Sequence, residues 1–223
     1  MTLTRRQIIE AGAATGALAV LASSPLLAQV AGSAVPRAPQ PPVPARPRVM
    51  VDPVLDPRIV ARARASFDRH RSRIVHGDIV GIADFTKVSA EPRFYLLDTN
   101  SGRVTRHLVS HGRGSDPAHT GFVHRFSNAF GSNASSAGGY LTDRYYHGRY
   151  GRSMRLRGLD PSNSNAYERA IVVHTAWYAE PDVVDQQGRL GRSEGCFALP
   201  HDSLREVLAR LGPGRFLYAD RLA

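Results

Sequence analysis

The sequence predicts a β-rich fold, mainly β or α+β with a few flanking helices, confined to residues 51–223. Three observations lead there. From Ile79 onward, short runs rich in Val, Ile, Leu, Phe and Tyr recur between polar clusters, as strands do between turns. Two segments, Ile59–Ile74 and Leu204–Leu211, space their apolar residues by three or four, the period of one helical face. Hydrophobic residues make up 42% of the 223-residue chain and charged residues 22%, which supplies a core and excludes wholesale disorder.

Taken in order, residues 1–34 read as a twin-arginine-type export signal. Arg5-Arg6 precede an uncharged stretch from Ala11 to Ala28, mostly Ala, Gly, Leu and Val. Gly12, Thr15, Gly16, Ser23, Ser24 and Pro25 make that stretch a poor permanent anchor, so a cleaved signal is favoured over a retained span. Small residues fit cleavage after Ala28 or Ala34. The expected destination is the periplasm or cell envelope. Residues 35–50 read as a linker, because Pro36, Pro39, Pro41, Pro42, Pro44 and Pro47 remove backbone donors and favour an extended tether.

The folded domain, 51–223, opens with a helix. Asp56 is an N-cap, Pro57 occupies the first helical position, and Ile59, Ala63, Phe67, His70 and Ile74 form one face. Strands are expected at 79–85, 93–97, 104–110, 170–174 and 216–219. Asp98-Thr99-Asn100-Ser101-Gly102 is a hairpin turn between two of them. From Gly112 to Ser164 the chain is rich in Gly, Ser and Asn and reads as a long functional loop region. A last helix carries Leu204, Val207, Leu208 and Leu211 and stops at Gly212-Pro213.

The formal charge is +10, almost all of it arginine, since Lys87 is the only lysine. A uniform arginine bias is weak evidence for nucleic acid, and no basic motif is interleaved with aromatics. The single cysteine, Cys196, cannot close an internal disulfide. In an exported protein an accessible lone thiol is at risk of oxidation. Cys196 lies in Gly191-Arg192-Ser193-Glu194-Gly195-Cys196, among glycines and small polar residues, which favours a reactive thiol over an inert core cysteine. A nucleophilic thiol needs a base, and His174 ends the apolar run Ile171-Val172-Val173, where a strand would hold its imidazole rigid. The expectation is a sulfur held as an anion, alkylated well below the pH of a free thiol.

The segments Val172-Val173-His174 and Gly191–Cys196 resemble the signature of the murein L,D-transpeptidase (YkuD-type) catalytic domain family. The similarity extends to His111-Gly112-Arg113-Gly114-Ser115, Phe126-Ser127-Asn128, Gly131-Ser132, Ser135-Ser136, Gly139-Tyr140 and Gly158-Leu159-Asp160, covering about residues 75–220. The resemblance implies a β-rich domain that acts on peptidoglycan stem peptides, with Cys196 as nucleophile and His174 as base and later proton donor. It implies that Ser193 shapes the loop, that N–H groups around Gly195 and Cys196 form an oxyanion hole, and that His111 and Ser136 line the cleft. It implies 3→3 cross-linking or exchange of the terminal D-amino acid, with L,D-carboxypeptidase activity as the alternative. Phe197-Ala198-Leu199 stand where many members carry Arg or Asn, and the interval from His174 to Cys196 is longer than usual.

No metal is expected. The pairs His107/His111 and His119/His124 fall on a strand and a loop rather than on one helix face. No nucleotide cofactor is expected, because no Gly-rich phosphate motif is present. The rival reading from another class is a non-catalytic exported module docking on the anionic wall through Arg113, Arg144, Arg149, Arg152, Arg155 and Arg157. The thiol discriminates the two readings, because a binding module has no use for an activated cysteine.

Overall fold

The computed structural model describes residues 55–223. The export signal and linker expected over 1–34 and 35–50 lie outside the described residues. Eight strands form one sheet: β1 Ile79–Asp84, β2 Phe94–Asp98, β3 Val104–His107, β4 Gly138–Gly148, β5 Gly151–Gly158, β6 Val172–Thr175, β7 Phe197–Leu199 and β8 Phe216–Asp220. Their spatial order is β3-β2-β1-β8-β4-β5-β6-β7. The β1–β8 and β6–β7 pairs are parallel and the rest antiparallel. Three α-helices flank the sheet: α1 Pro57–Arg69, α2 Pro181–Gln187 and α3 His201–Leu211.

The central strands are apolar on both faces because both faces are covered. On β8, Phe216 and Tyr218 join a cluster with Leu55, Ile59 and Ala63 at α1, while Leu217 and Ala219 join Leu204, Val207, Leu208 and Leu211 of α3. Alternation with period two sends successive side chains to opposite layers. The α1 start forms as the sequence implies: the Asp56 carboxylate accepts from Arg58 N–H at 2.8 Å, and Pro57 gives up no hydrogen bond at the first helical position.

Several elements differ from expectation. The first helix ends at Arg69, with His70 as its C-cap, so Ile74 reaches the core through a 3-10 turn over 71–73. The third strand stops at His107, and Ser110 makes only an isolated bridge to Ala198. β6 starts at Val172 because Ala170 takes a left-handed φ of 56°, which breaks the extended run. The largest correction lies between Gly112 and Ser164. That region holds the two longest strands, β4 and β5, joined by Arg149-Tyr150 into a hairpin that packs along β6. Among the described residues no helix is long and apolar enough to cross a membrane.

Candidate active site

Cys196 directly precedes β7, the three-residue strand that pairs in parallel with β6 through Val173↔Phe197 and His174↔Ala198. Val173 and Phe197 both enter the core, so alternation turns Cys196 and His174 to the opposite face. Their positions on adjacent strands are two residues out of step, which puts their Cα atoms about 8 Å apart. A thiol and an imidazole are thereby offered on one side of the sheet. His174 Nδ1 lies 2.7 Å from the Thr175 carbonyl. A carbonyl only accepts, so Nδ1 carries the proton and Nε2 is the basic nitrogen. The orienting partner of His174 is thus a backbone group.

The loop before Cys196 is fixed at both ends. Ser193 Oγ donates to the Cys196 carbonyl at 2.7 Å and accepts from Gly195 N–H at 3.2 Å, closing a tight turn. Ser193 N–H donates to His111 O at 2.9 Å, and Arg113 N–H donates back to Ser193 O at 2.7 Å. Ser135 Oγ accepts from Gly112 N–H at 3.0 Å and donates to Gly195 O at 3.2 Å. Gly195 has φ 114°, and a Cβ there would lie 2.7 Å from both Ala134 O and Ile171 Cδ1, so no other residue fits. Its N–H, expected to face an oxyanion, is taken up by Ser193. What Gly195 contributes is room and backbone shape.

His111 and Ser136, expected along the cleft, are both fully buried and present no side chain to solvent. Arg93 Nη2 donates to His111 Nδ1 at 2.6 Å, which turns Nε2–H toward Asp116 Oδ2 at 3.4 Å. Ser136 Oγ donates to Ser127 O at 2.8 Å and accepts from Arg169 at 2.7 Å. Both side chains brace the segments that hold the loop. Of the remaining histidines of the two pairs, His119 contacts Leu190 O at 2.9 Å and His124 contacts Thr120 Oγ1 at 2.7 Å, while His107 is buried with its Nε2 3.9 Å from Glu206 and without a hydrogen-bond partner among the described residues.

The electrostatics correct the expectation of a resting anion. Burial pushes the Cys196 thiol up to about 11, and Glu194 adds to the rise. The Val172 N–H, Arg169 and Arg155 oppose it without overcoming it. The sulfur instead donates to the Ala170 carbonyl at 3.5 Å. Burial also holds His174 below the ordinary imidazole value, and Arg149 reinforces this. At neutral pH the pair is therefore thiol and neutral imidazole.

Residues whose place at the site the sequence did not give surround this pair. Tyr150, at the tip of the β4–β5 hairpin, stacks on His174 with ring centroids 4.4 Å apart and planes 24° apart. Arg155 and Tyr146 share the outward face, with Tyr167 beside them. The signal available was alternation: Ser153, Arg155 and Arg157 at every second position describe one strand face. Arg113, His119, Trp177, Tyr178, Gly191 and Arg192 line a groove of about 250 Å³.

A buried strand ending in histidine and a glycine-bearing turn that leads through Cys196 into the adjoining strand make up this site, and residues 52–219 match the L,D-transpeptidase catalytic domain family. The chain belongs to that family. Among solved structures it is similar to an L,D-transpeptidase from Mycobacterium smegmatis at 15% identity and TM-score 0.40, covering 64% of this chain and 58% of that one. It is also similar to L,D-transpeptidase 3 from Mycobacterium tuberculosis in complex with a faropenem-derived adduct, at 13% identity and TM-score 0.41, covering 64% and 60%. A third, the L,D-transpeptidase from Xylanimonas cellulosilytica, has 15% identity and TM-score 0.36 over 70% and 68%. The chain thus spans less than two thirds of the length of the two mycobacterial structures. No curated protein matches it.

Proposed function

We propose that the protein is a cysteine acyltransferase that remodels peptidoglycan stem peptides through a Cys196 acyl-enzyme. The observation that carries this is the delivery of Cys196 and His174 to one sheet face, with His174 Nδ1 bound by the Thr175 carbonyl at 2.7 Å. Family membership over 52–219 supports it. As Sγ bonds to the carbonyl carbon at the L-centre of diaminopimelate, its proton passes to His174 Nε2. The tetrahedral oxygen is stabilised by backbone N–H at Cys196, a form of stabilisation worth about 3 kcal/mol per donor. Cleavage of the C–N bond then releases D-alanine, which takes the proton from the imidazolium. An amine of a second stem, deprotonated by His174, attacks the thioester and expels the thiol, giving a 3→3 cross-link. Water in place of the amine makes the same site an L,D-carboxypeptidase.

On this reading residues 1–34 export the chain to the periplasm or cell envelope, 35–50 tether it, and 51–223 do the chemistry without a cofactor. The test is incubation of the protein with a disaccharide-tetrapeptide and mass spectrometry of the products. A cross-linked dimer is expected, and tripeptide alone marks the carboxypeptidase. Untouched substrate with retained affinity for sacculi establishes the wall-binding module instead. Cys196→Ala must abolish every product, and turnover by that variant excludes the nucleophile.

A further inference from the structure

We propose that Arg155 binds a carboxylate of the acyl-donor peptide beside the nucleophile, and so sets which stem peptides the site accepts. This rests on the function proposed above and names a determinant of its substrate choice. Arg155 of β5 is level with Val172 of β6, and Val172 is level with Cys196 where β7 begins. Residues level across neighbouring strands project to the same face, so the guanidinium and the sulfur share one surface, two strand spacings or about 10 Å apart at Cα. Tyr146, level with Ser153, lies on that face as well.

The chemistry of this arginine differs from that of its neighbours. Arg169, also near the sulfur, spends its donors on Ser127 O, Ser136 Oγ, Ser132 Oγ and Ala134 O at 2.6–3.1 Å. Arg157 is paired with Asp143 at 3.0 Å and Arg113 with Glu194 at 3.1 Å. Arg155 is half-buried and makes one long hydrogen bond, Nη2 to Tyr167 O at 3.4 Å, with no carboxylate partner among the described residues. A guanidinium carries five N–H donors in a planar fork that matches a carboxylate in bidentate fashion. The Tyr167 ring, 4.3 Å from its Cζ, and the Tyr146 ring, 5.9 Å away, wall it in and displace water without neutralising it. The segment after the nucleophile offers no substitute cation, because Phe197, Ala198 and Leu199 are wholly buried. A charged, partly desolvated and unneutralised group in line with the reacting sulfur is a receptor for an anion, and stem peptides present carboxylates at the terminal D-alanine and on diaminopimelate.

The full chain carrying Cys196→Ala, which binds without reacting, provides the direct measurement. Calorimetry compares disaccharide-tetrapeptide with the same ligand amidated at the D-alanine terminus or at the diaminopimelate carboxyl. One of the two amidations is expected to weaken binding by about tenfold to a hundredfold. Adding Arg155→Gln should weaken the unmodified ligand by the same factor and abolish the penalty of that amidation, while Arg155→Lys recovers part of the affinity. Equal affinity for acid and both amides, or an amidation penalty unchanged by Arg155→Gln, overturns the proposal. Turnover by the Cys196 protein separates the two ideas. Discrimination lost with Arg155→Gln but no turnover keeps the carboxylate site and removes the acyltransferase. Turnover with discrimination indifferent to residue 155 does the reverse.

Discussion

Cys196 and His174 are moved toward their neutral forms by one cause, the loss of water around both, and this sets how the thiol reacts. With the sulfur pushed up to about 11, its alkylation by iodoacetamide should climb steadily through pH 8 and 9 and level off only near 11. A plateau below pH 8 would show a preformed thiolate and contradict the resting pair described above. The turn beside it tolerates no added carbon. Gly195→Ala combines a left-handed φ with contacts at 2.7 Å, so a loss of about 1–3 kcal/mol of stability is expected, together with collapse of Cys196 acylation. Unfolding curves and active-site labelling measure the two separately, and an unaltered variant on both counts refutes the steric role. Cys196, His174 and Ser193 were legible in the sequence because their meaning is local: a lone thiol, a strand-end imidazole, a hydroxyl in a glycine turn. Tyr150 was not, and Arg155 and Ser135 showed only as members of a basic cluster and a serine pair, since what each does depends on strands or loops brought from elsewhere in the chain. His111 and Ser136 were legible as special but not as buried.

The β4–β5 hairpin is the element that sequence reading lost, and it is the one that covers the site. Glycines at 138, 139, 148, 151 and 158 mimic loop composition, and a bulge between Thr142 and Tyr145 resets the alternation that would have revealed a strand. The buried strands and α3 were plain because both of their environments are apolar and their periods are uninterrupted. β7 and α2 were missed for lack of length: β7 has three residues, and α2 buries only Val183. The hairpin tip has a measurable role. Tyr150 shields the His174 imidazole, so Tyr150→Ala should let water in and raise the pKa of that group toward its ordinary value. The acidic limb of kcat/KM then moves to higher pH, while Tyr150→Phe leaves it in place. Identical limbs in all three proteins would show that the stacking has no bearing on the base.

Across the whole molecule, burial keeps His107, His111 and His174 neutral, with Arg93 also opposing the charge on His111. Unfolding frees all three to take up protons below the ordinary imidazole value of about 6.5. The unfolded chain then binds more protons than the native one, so stability is complete above that pH and falls as the solution is acidified. Asp78, Asp116, Asp160 and Glu206 are held low by their hydrogen bonds and cationic neighbours, against their own burial, and extend the loss below pH 4. Urea midpoints measured from pH 8 to pH 4 should be flat at first and then decline from about pH 6.5. A midpoint constant between pH 7 and pH 5 would mean that these imidazoles are hydrated in the native state.

The position of β8 has a kinetic consequence. It lies between β1 and β4, so within the strand ladder the three-strand and four-strand portions of the sheet are joined by residues 216–220. Val80 finds its neighbour in Phe216, a contact of long sequence separation that raises contact order and slows folding. Synthesis of Cys196 and His174 therefore precedes that of the strand that joins the two portions. During translation the thiol is made before the sheet that shields it exists, because that sheet cannot close until β8 has been synthesised.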